Sequence, residues 1–195
     1  TTGVAFASGT GFVLENTGWI TGPTGVLLQN TSHSEVDNTG RIIGSVIGVD
    51  VNAGPALGNE IHNEGLIAGG TTGVRLQGAQ VGLFNTGTIR TDSPGSGEAI
   101  QGGTGVENIL NGGEIVGAVR LGSGNDWFGN TGLGFVDGQV HGDLGNDTIG
   151  GAAADDRLFG DGGNDILLGR QGNDRLKGGA DNDQLWGGRG DDRLL

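Results

Sequence analysis

Residues 142–195 consist of six nine-residue segments in unbroken succession: GDLGNDTIG, GAAADDRLF, GDGGNDILL, GRQGNDRLK, GGADNDQLW and GGRGDDRLL. Each segment starts with Gly, has Asn or Asp at position 5 and Asp at position 6, and has Ile or Leu at position 8. A single copy would be read as an ordinary turn. Six copies in phase instead predict a repeat architecture, in which every unit packs on its neighbours along one axis.

The residue types of this array suit a divalent cation. Calcium takes six or more oxygen ligands at about 2.3–2.6 Å, from carboxylates and backbone carbonyls together. Glycines at positions 1 and 4 allow the loop to bend until its carbonyls converge, and the Asp at position 6 adds a charged oxygen on a short side chain. Position 8 lies two residues later on the same side of the strand, so its Ile or Leu enters the core. The predicted metal-binding residues are Asp147, Asp156, Asp165, Asp174, Asp183 and Asp192, with Gly142, Gly145, Gly151, Gly160, Gly163, Gly169, Gly172, Gly178 and Gly187.

Crowding of these carboxylates predicts that the fold of the array depends on the ion. Successive turns of stacked strands lie about 4.8 Å apart, so their carboxylates repel one another when no cation is bound. After residue 120, Asp supplies all 13 acidic residues, against six Lys and Arg. We therefore expect residues 142–195 to be loose or unfolded without the ion and rigid with it.

The segments resemble the RTX calcium-binding repeats, whose consensus is G-G-x-G-x-D-x-U-x. The resemblance covers residues 142–195 without a break, and LGSGNDWFG (residues 121–129) is an isolated earlier copy that adds Asp126 to the predicted metal-binding residues. Ala154 and Asp181 replace the Gly of position 4, and several copies lack the Gly of position 2. The resemblance implies a parallel β-roll with two repeats per turn and Ca²⁺ between the loops of successive turns.

That arrangement places each ion between repeats n and n+2. The segments then pair, by their first residues, as 142/160, 151/169, 160/178 and 169/187, which gives about four complete calcium sites. The resemblance also implies type I secretion from a Gram-negative bacterium, and therefore a secreted or cell-surface location.

A longer and more degenerate repeat precedes the array. Its kernel is apolar-x-Asn-x-Gly-x-Ile, and a second segment recurs between the kernels. The kernels are LENTGWI (14–20), VDNTGRI (36–42), IHNEGLI (61–67), LFNTGTI (83–89) and ILNGGEI (109–115). The second segments are TGVAFA (2–7), TGVLLQ (24–29), IGVDVN (47–52), TGVRLQ (72–77) and GEAIQ (97–101). Apolar residues at every second position between Asn and Gly predict short strands, and coils of roughly 20–26 residues fit a parallel β-helix.

Two stacks of side chains are expected in such a β-helix. The kernel isoleucines would stack inside the coils, and the kernel asparagines would form a hydrogen-bonded ladder at a bend. The isoleucines are Ile20, Ile42, Ile67, Ile89 and Ile115, and the asparagines are Asn16, Asn38, Asn63, Asn85 and Asn111. Separate strands of a β-sandwich are the alternative fold.

The two repeat systems together predict an all-β chain, a right-handed parallel β-helix that continues into a parallel β-roll as a single solenoid. The hand follows from the crossover preference of parallel strands. Residues 1–120 would form the β-helix, residues 121–141 a junction with the isolated nonapeptide, and residues 142–195 the calcium-binding β-roll. Because Asp126 lies 21 residues before Asp147, which is not a multiple of nine, we expect residues 129–141 to form a transition loop.

Composition excludes several other classes of protein. The 195 residues include 46 Gly, and each Gly inside a helix costs about 1 kcal/mol relative to Ala, so helical bundles and Rossmann-type folds are excluded. A net charge of −13 disfavours nucleic acid and anionic membranes and favours cations. No apolar run of membrane-spanning length is present. Since no leader pattern is found at Thr1 and Leu195 ends a repeat without a polar cap, we expect a piece of a larger parent chain.

Two classes of function stay open. We favour a non-enzymatic, calcium-binding structural module that folds and stiffens on Ca²⁺ binding outside the cell. Its partners would be calcium ions, the rest of the parent chain and polysaccharide or cell-surface material. The alternative is a fragment of a polysaccharide-acting β-helix enzyme, alginate epimerase or lyase-like, or its substrate-binding appendage, since the secreted alginate epimerases resemble this layout of a β-helix followed by RTX modules.

The residues directly before the kernel asparagines carry the enzyme alternative. They point outward on successive coils and are Glu15, Asp37, His62, Phe84 and Leu110. Two carboxylates and an imidazole in one column could perform general acid and base catalysis, whereas a solvated face is the structural interpretation. Other polar residues are given structural roles. Asp50 and Arg75 are expected to form an ion pair between coils that contributes little to stability. His33 and His141 are expected to be surface residues in loops.

Overall fold

The computed structural model of the protein describes residues 3–93 and 95–195, which form 21 β-strands and no helix. The strands pair in parallel and stack into a β-solenoid of about eight turns. The prediction of an all-β solenoid is confirmed. Thr1 and Thr2, the latter being the first residue of the TGVAFA segment, lie outside the described residues. None of the described residues belongs to a helix long and apolar enough to cross a membrane.

The strands are short in most turns and long where the chain bends without breaking its pairing. In chain order they are β1 Val4–Thr10, β2 Val13–Asn16, β3 Trp19–Ser32, β4 Glu35–Asn38, β5 Arg41–Asn63, β6 Leu66–Gly69, β7 Thr72–Asn85, β8 Thr88–Thr91, β9 Glu98–Gln101, β10 Val106–Asn111, β11 Glu114–Val116, β12 Ala118–Arg120, β13 Trp127–Asn130, β14 Phe135–Asp137, β15 Val140–His141, β16 Thr148–Gly150, β17 Arg157–Gly162, β18 Ile166–Gln171, β19 Arg175–Ala180, β20 Gln184–Arg189 and β21 Arg193–Leu194.

Strands of successive turns pair into three columns along the axis. Column 1 contains the strands that end at the kernel asparagines, and it continues into the array. It runs through β2, β4, β5, β7, β10, β13, β16, β18 and β20. Column 2 contains the kernel isoleucines, and runs through β3, β5, β6, β8, β11 and β14. Column 3 contains the second recurring segment, and runs through β1, β3, β5, β7, β9, β12, β15, β17, β19 and β21.

Column 2 ends at β14, and the solenoid changes there from three-sided to two-sided turns. Corresponding residues are 19 to 26 positions apart in the three-sided turns and 18 apart in the two-sided turns. The prediction that residues 129–141 form a transition loop is wrong, because they contain β14 and β15. Val136 pairs with Ile115, Val140 pairs with Val119, and both valines are buried. These residues therefore complete a full turn.

The core is one continuous stack of aliphatic side chains, three wide and then two wide. The predicted column of isoleucines is confirmed: Ile42, Ile67, Ile89 and Ile115 are fully buried and in register, and the partly buried Ile20 packs against them at the first turn. The position-8 residues of the nonapeptides continue columns 1 and 3. Ile149, Leu158, Leu167 and Leu176 are fully buried, whereas Leu194 in the last turn is 46% exposed.

The predicted asparagine ladder is also confirmed, and it is one turn longer than expected. Each Nδ2 donates a hydrogen bond to Oδ1 of the next asparagine along the axis, from Asn16 through Asn38, Asn63, Asn85 and Asn111 to Asn130, at 2.7–2.9 Å. All six side chains are buried. From the second kernel to the fifth, the Gly two residues after the Asn leaves room for the preceding turn; a Cβ on Gly40, for example, would collide with the backbone of Gly18.

Candidate metal centre

Two ladders of carboxylates run along the two edges of the C-terminal turns. Asp126, Asp147, Asp165 and Asp183 form the first ladder, and Asp156, Asp174 and Asp192 form the second. In each ladder the backbone N–H of one aspartate donates to Oδ1 of the aspartate one turn later, at 2.8–2.9 Å in the first and 2.8–3.0 Å in the second. Aspartates within the array are linked at a spacing of 18 residues, so two nonapeptides make one turn.

The second carboxylate oxygen of most of these residues has no partner. Oδ2 of Asp126, Asp147, Asp165 and Asp174 is buried and accepts no hydrogen bond. Asp156 differs, since its Oδ2 accepts the backbone N–H of Ala152 at 2.9 Å. Burial of a charged oxygen without compensation is costly, and buried charges in proteins are paired or coordinate metals. The unpartnered oxygens therefore fit a cation held between the turns.

The position-1 glycines border these oxygens. A Cβ on Gly142 would collide with Oδ2 of Asp147, and it would lie 2.7 Å from the carbonyl oxygen of Gly160 one turn later. The same arrangement recurs at Gly160, with Asp165 and the carbonyl of Gly178. A carboxylate oxygen and a backbone carbonyl thus converge on a space that any side chain at position 1 would fill. These are the oxygen types that calcium prefers.

Backbone conformation separates the roles of positions 1 and 4. At position 4, Gly145, Gly163 and Gly172 have φ of 132°, 125° and 114°, so the predicted bend at this position is confirmed. The position-1 glycines do not adopt left-handed φ, so they assist the convergence of the carbonyls through the absence of a side chain. Position 1 is Gly because the carboxylate approaches it closely. The departure Asp181 at position 4 keeps a left-handed φ of 77°, at some steric cost.

Burial makes the metal-free carboxylates hard to ionise. Burial, together with the nearby carboxylates of Asp126 and Asp165, raises the pKa of Asp147 to about 7. Burial likewise raises the pKa of Asp156 to about 6, with a contribution from Asp174. The pKa of Asp165 is raised for the same two reasons. A bound cation would act in the opposite direction on all of them.

The Asn and Asp side chains at position 5 form two further ladders, one on each edge, a role that sequence reasoning did not assign. Their side-chain oxygens accept backbone N–H groups from the following turn, so these hydrogen bonds run in the opposite direction to those of the aspartate ladders. On one edge Asn125, Asn146 and Asn164 accept from the next position-5 residue at 2.7–3.1 Å. On the other edge Asp155 and Asn173 do the same, at 2.7 and 2.8 Å. The uniform Asn or Asp at position 5 was the available signal.

The isolated nonapeptide occupies the turn directly before the array. Asp126 is 2% exposed and joins the first aspartate ladder, and Gly124 at position 4 has φ of 157°. Trp127 pairs with Thr148, the corresponding residue of the array. The 21-residue spacing between Asp126 and Asp147 arises because this turn still contains the third side, β14.

The outward column of the enzyme alternative exists as expected. Glu15, Asp37, His62, Phe84 and Leu110 are in register on successive turns. His62 Nε2 lies 3.2 Å from Glu60 Oε2 and 3.6 Å from Glu35 Oε1, and its ring stacks on Phe84 at 4.9 Å between centroids. The ligand atoms of Glu35, Asp37 and His62 lie within 4.8 Å of one another. The group is open to solvent, unlike the buried aspartates.

Two other polar predictions need correction. His141 lies in strand β15, not in a loop, where its Nδ1 is 2.7 Å from Asp161 Oδ2 and its side chain is 14% exposed. Its ring stacks on Phe159 at 4.6 Å. Arg75 and Asp50 do pair across coils, but with two contacts, Nε to Oδ1 at 2.9 Å and Nη2 to Oδ2 at 2.5 Å, and Asp50 is buried. This ion pair is more enclosed than the surface pair expected.

Comparison with known proteins identifies the repeats. Residues 137–167 and 159–194 match the family model of the RTX calcium-binding nonapeptide repeat, in four copies. Curated proteins and solved structures give no significant match to the chain. The chain therefore carries RTX calcium-binding repeats along residues 137–194, on a parallel β-solenoid. This combination fits a calcium-binding structural module.

Proposed function

We propose that this chain is a calcium-binding structural module of a secreted protein, and that Ca²⁺ binding outside the cell folds and stiffens its C-terminal turns. The observation that carries the proposal is the set of buried, unpartnered Oδ2 atoms on Asp147, Asp165 and Asp174, each next to a position-1 glycine. Calcium supplies positive charge and a demand for oxygen ligands. The chain supplies the carboxylates and backbone carbonyls in fixed positions.

The two edges of the roll would each hold their own ions. Aspartates that are hydrogen-bonded one turn apart, such as Asp147 with Asp165, form one wall of a site, and the carbonyl of the position-1 glycine forms another. The pairing of repeats n and n+2 gives about four complete sites in residues 142–195. Asp126 extends the first aspartate ladder by one turn toward the N-terminus. A site that binds only the folded form stabilises it by about 1.4 kcal/mol when calcium is ten times the dissociation constant.

Location outside the cell belongs to the same proposal. Extracellular calcium modules bind with dissociation constants of about 10⁻⁴–10⁻³ M, so their sites fill where calcium is abundant. A chain whose carboxylates repel one another stays loose where calcium is scarce. The RTX character of residues 137–194 supports this location.

Calcium titration of the Asp165→Asn variant tests the proposal. Asn keeps an oxygen that can accept the N–H of Asp147 but removes the charge at Oδ2. We expect wild type to gain β-sheet circular dichroism and thermal stability with calcium, and Asp165→Asn to need several-fold more calcium for the same gain. Asp137→Asn, at an exposed carboxylate of β14, is the matched control and should behave as wild type. Equal melting temperatures of wild type in calcium and in chelator would refute the proposal.

A polysaccharide-acting function is the second candidate, and the register of Glu15, Asp37 and His62 on successive turns supports it. Incubation of the chain with alginate and related uronans, followed by detection of unsaturated ends or epimerised residues, tests it. Activity that disappears in His62→Gln but persists in His33→Gln would support the column. Absence of any product would leave the structural module as the function.

A further inference from the structure

The first aspartate ladder does not begin at Asp126. The backbone N–H of Glu107 donates to Asp126 Oδ1 at 2.8 Å, the same distance and pattern that links Asp126 to Asp147. Asn108 pairs with Trp127 and Ile109 pairs with Phe128, so Glu107 stands directly above Asp126 in the stack. The turn of β10, which like that of Asp126 has three sides, thus carries a carboxylate at the ladder position.

The local sequence is a disguised nonapeptide. Residues 102–110 read GGTGVENIL, with Gly at positions 1, 2 and 4, an acidic residue at position 6 and Ile at position 8. Ile109 occupies the position-8 place, buried in the same column as Phe128 and Ile149. Glu replaces Asp, and the segment lies outside the residues that match the RTX family model.

The carboxylate of Glu107 lacks any hydrogen-bonding partner. Glu107 is 0% exposed, and both Oε1 and Oε2 are buried without a partner, as is Oδ2 of Asp126. Two adjacent side chains therefore present three unsatisfied buried oxygens. Two neighbouring buried carboxylates cannot both carry charge unless a cation or a proton lies between them.

Backbone carbonyls also approach the glycines of this segment and of the following turn. A Cβ on Gly102 would collide with the carbonyl of Leu121 one turn later, which is the relation of Gly142 to the carbonyl of Gly160 in the array. A Cβ on Gly124 would collide with the carbonyl of Gly105. Carboxylate and carbonyl oxygens are the ligands that calcium takes and that soft metals do not.

We propose that Glu107 and Asp126 bind a calcium ion between the turn of β10 and the turn of β13. The site rests on the proposed function for the identity of the ion, and extends it to a turn of the three-sided region. Its consequence is mechanical. An ion at this position joins the last two three-sided turns, so calcium stabilises the end of the three-sided region next to the array and not only the array itself.

Ion counting on the full chain tests the site. Bound calcium per chain is measured by equilibrium dialysis for wild type, Glu107→Gln and Glu107→Leu, with Glu114→Gln as the control, since Glu114 is an exposed glutamate of the neighbouring strand β11. We expect Glu107→Gln and Glu107→Leu each to lose one ion, and Glu114→Gln to lose none. Two neutral variants of different polarity are used because one of them can fail to fold. The ion count of whichever variant folds then decides whether the site exists. An unchanged count in a folded variant overturns the proposal and indicates a shared proton instead.

Terbium luminescence locates the lost ion. Trp127 directly follows Asp126, and the other two tryptophans, Trp19 and Trp186, are replaced by Phe so that Trp127 is the sole sensitiser. Terbium replaces calcium, and we expect its sensitised emission at saturation to fall in Glu107→Gln. Emission equal to that of the parent chain counts against the site.

Failure of this inference is distinguishable from failure of the proposed function. Asp174→Asn alters the second ladder, which does not include Asp126, and should lower the ion count through the array alone. A count that falls in Asp174→Asn but not in the Glu107 variants removes only the additional site. A wild-type chain that binds no calcium removes both proposals.

Discussion

At the scale of the residue, position 1 of the nonapeptide shows how a glycine can be fixed by a neighbour rather than by its own backbone. Gly160 lies against Asp165 Oδ2 and the carbonyl of Gly178, and has no left-handed φ. The requirement is for empty space beside an oxygen. A methyl group at Gly160 would displace the Asp165 carboxylate that we propose binds the ion.

Gly160→Ala should therefore weaken calcium binding as well as stability. We expect a loss of about 1–3 kcal/mol of folding free energy in calcium, the usual cost of inserting a methyl group into a packed site, measured by denaturant unfolding. Gly18→Ala is the control, since a Cβ at Gly18 meets no atom within 4 Å. A Gly160→Ala chain with the calcium midpoint and stability of wild type would contradict this account of position 1.

Sequence alone could predict many of the single residues, because each repeats at a fixed interval. The position-6 aspartates, the kernel asparagines and the stacked isoleucines all lie where the pattern placed them. Glu107 was missed because one substitution, Glu for Asp, hides it from a search for identical residues. Its place became visible only through the hydrogen bond from its N–H to Asp126.

At the scale of the element, the change from three sides to two was not predictable from local pattern. The strand β14 has three residues and β15 has two, which is too short for an alternation of apolar and polar residues to be recognised. Their strand conformation depends on pairing with β11 and β12 in the turn above. The register between turns depends on residues far apart in the sequence, whereas a repeat spacing can be read along the chain. The sequence pattern therefore did not predict these two strands.

The buried aspartates of the two ladders predict that the metal-free protein is more stable at low pH than at neutral pH. Its folded-state pKa values are raised, to about 7 at Asp147 and about 6 at Asp156, above the roughly 3.9 of an unfolded Asp. The folded state then binds more protons than the unfolded state between these values. Stability is greatest below about pH 4 and is lost as the pH rises through 6 and 7.

Melting temperatures across pH 4–8, in chelator and in calcium, check this prediction. In chelator we expect residues 142–195 to be loose at pH 8 and to gain β-sheet structure with a measurable melting transition as the pH falls to 5. In calcium the order reverses, because protons compete with the ion for the same oxygens. The Asp147→Asn variant should flatten the dependence in chelator. A chelated chain most stable at pH 8 would contradict the raised pKa values.

At the scale of the whole molecule, one aliphatic core runs through two regions with different kinds of edge. Uncharged amides stack from Asn16 to Asn130, and carboxylates stack from Glu107 to Asp192. The two systems overlap in two turns, one with Glu107 and Asn111 and the other with Asp126 and Asn130. In a solenoid each turn contacts only its neighbours, so stability is nearly a sum of turn and interface contributions.

This overlap predicts a graded response to calcium removal along the axis. Hydrogen exchange of backbone amides, followed residue by residue in calcium and in chelator, should show unchanged protection in the turns of Asn38, Asn63 and Asn85, which contain only the neutral ladder. Protection should collapse in residues 142–195, where the ladder aspartates are buried in the first two turns and partly buried in the last. The turns of β10 and β13 should lie between these extremes, since their asparagines hold them together while Glu107 and Asp126 repel. Loss of protection throughout the chain in a single step would mean that contacts between turns outweigh the chemistry of each turn, and equal protection in both conditions would mean that the carboxylates need no ion.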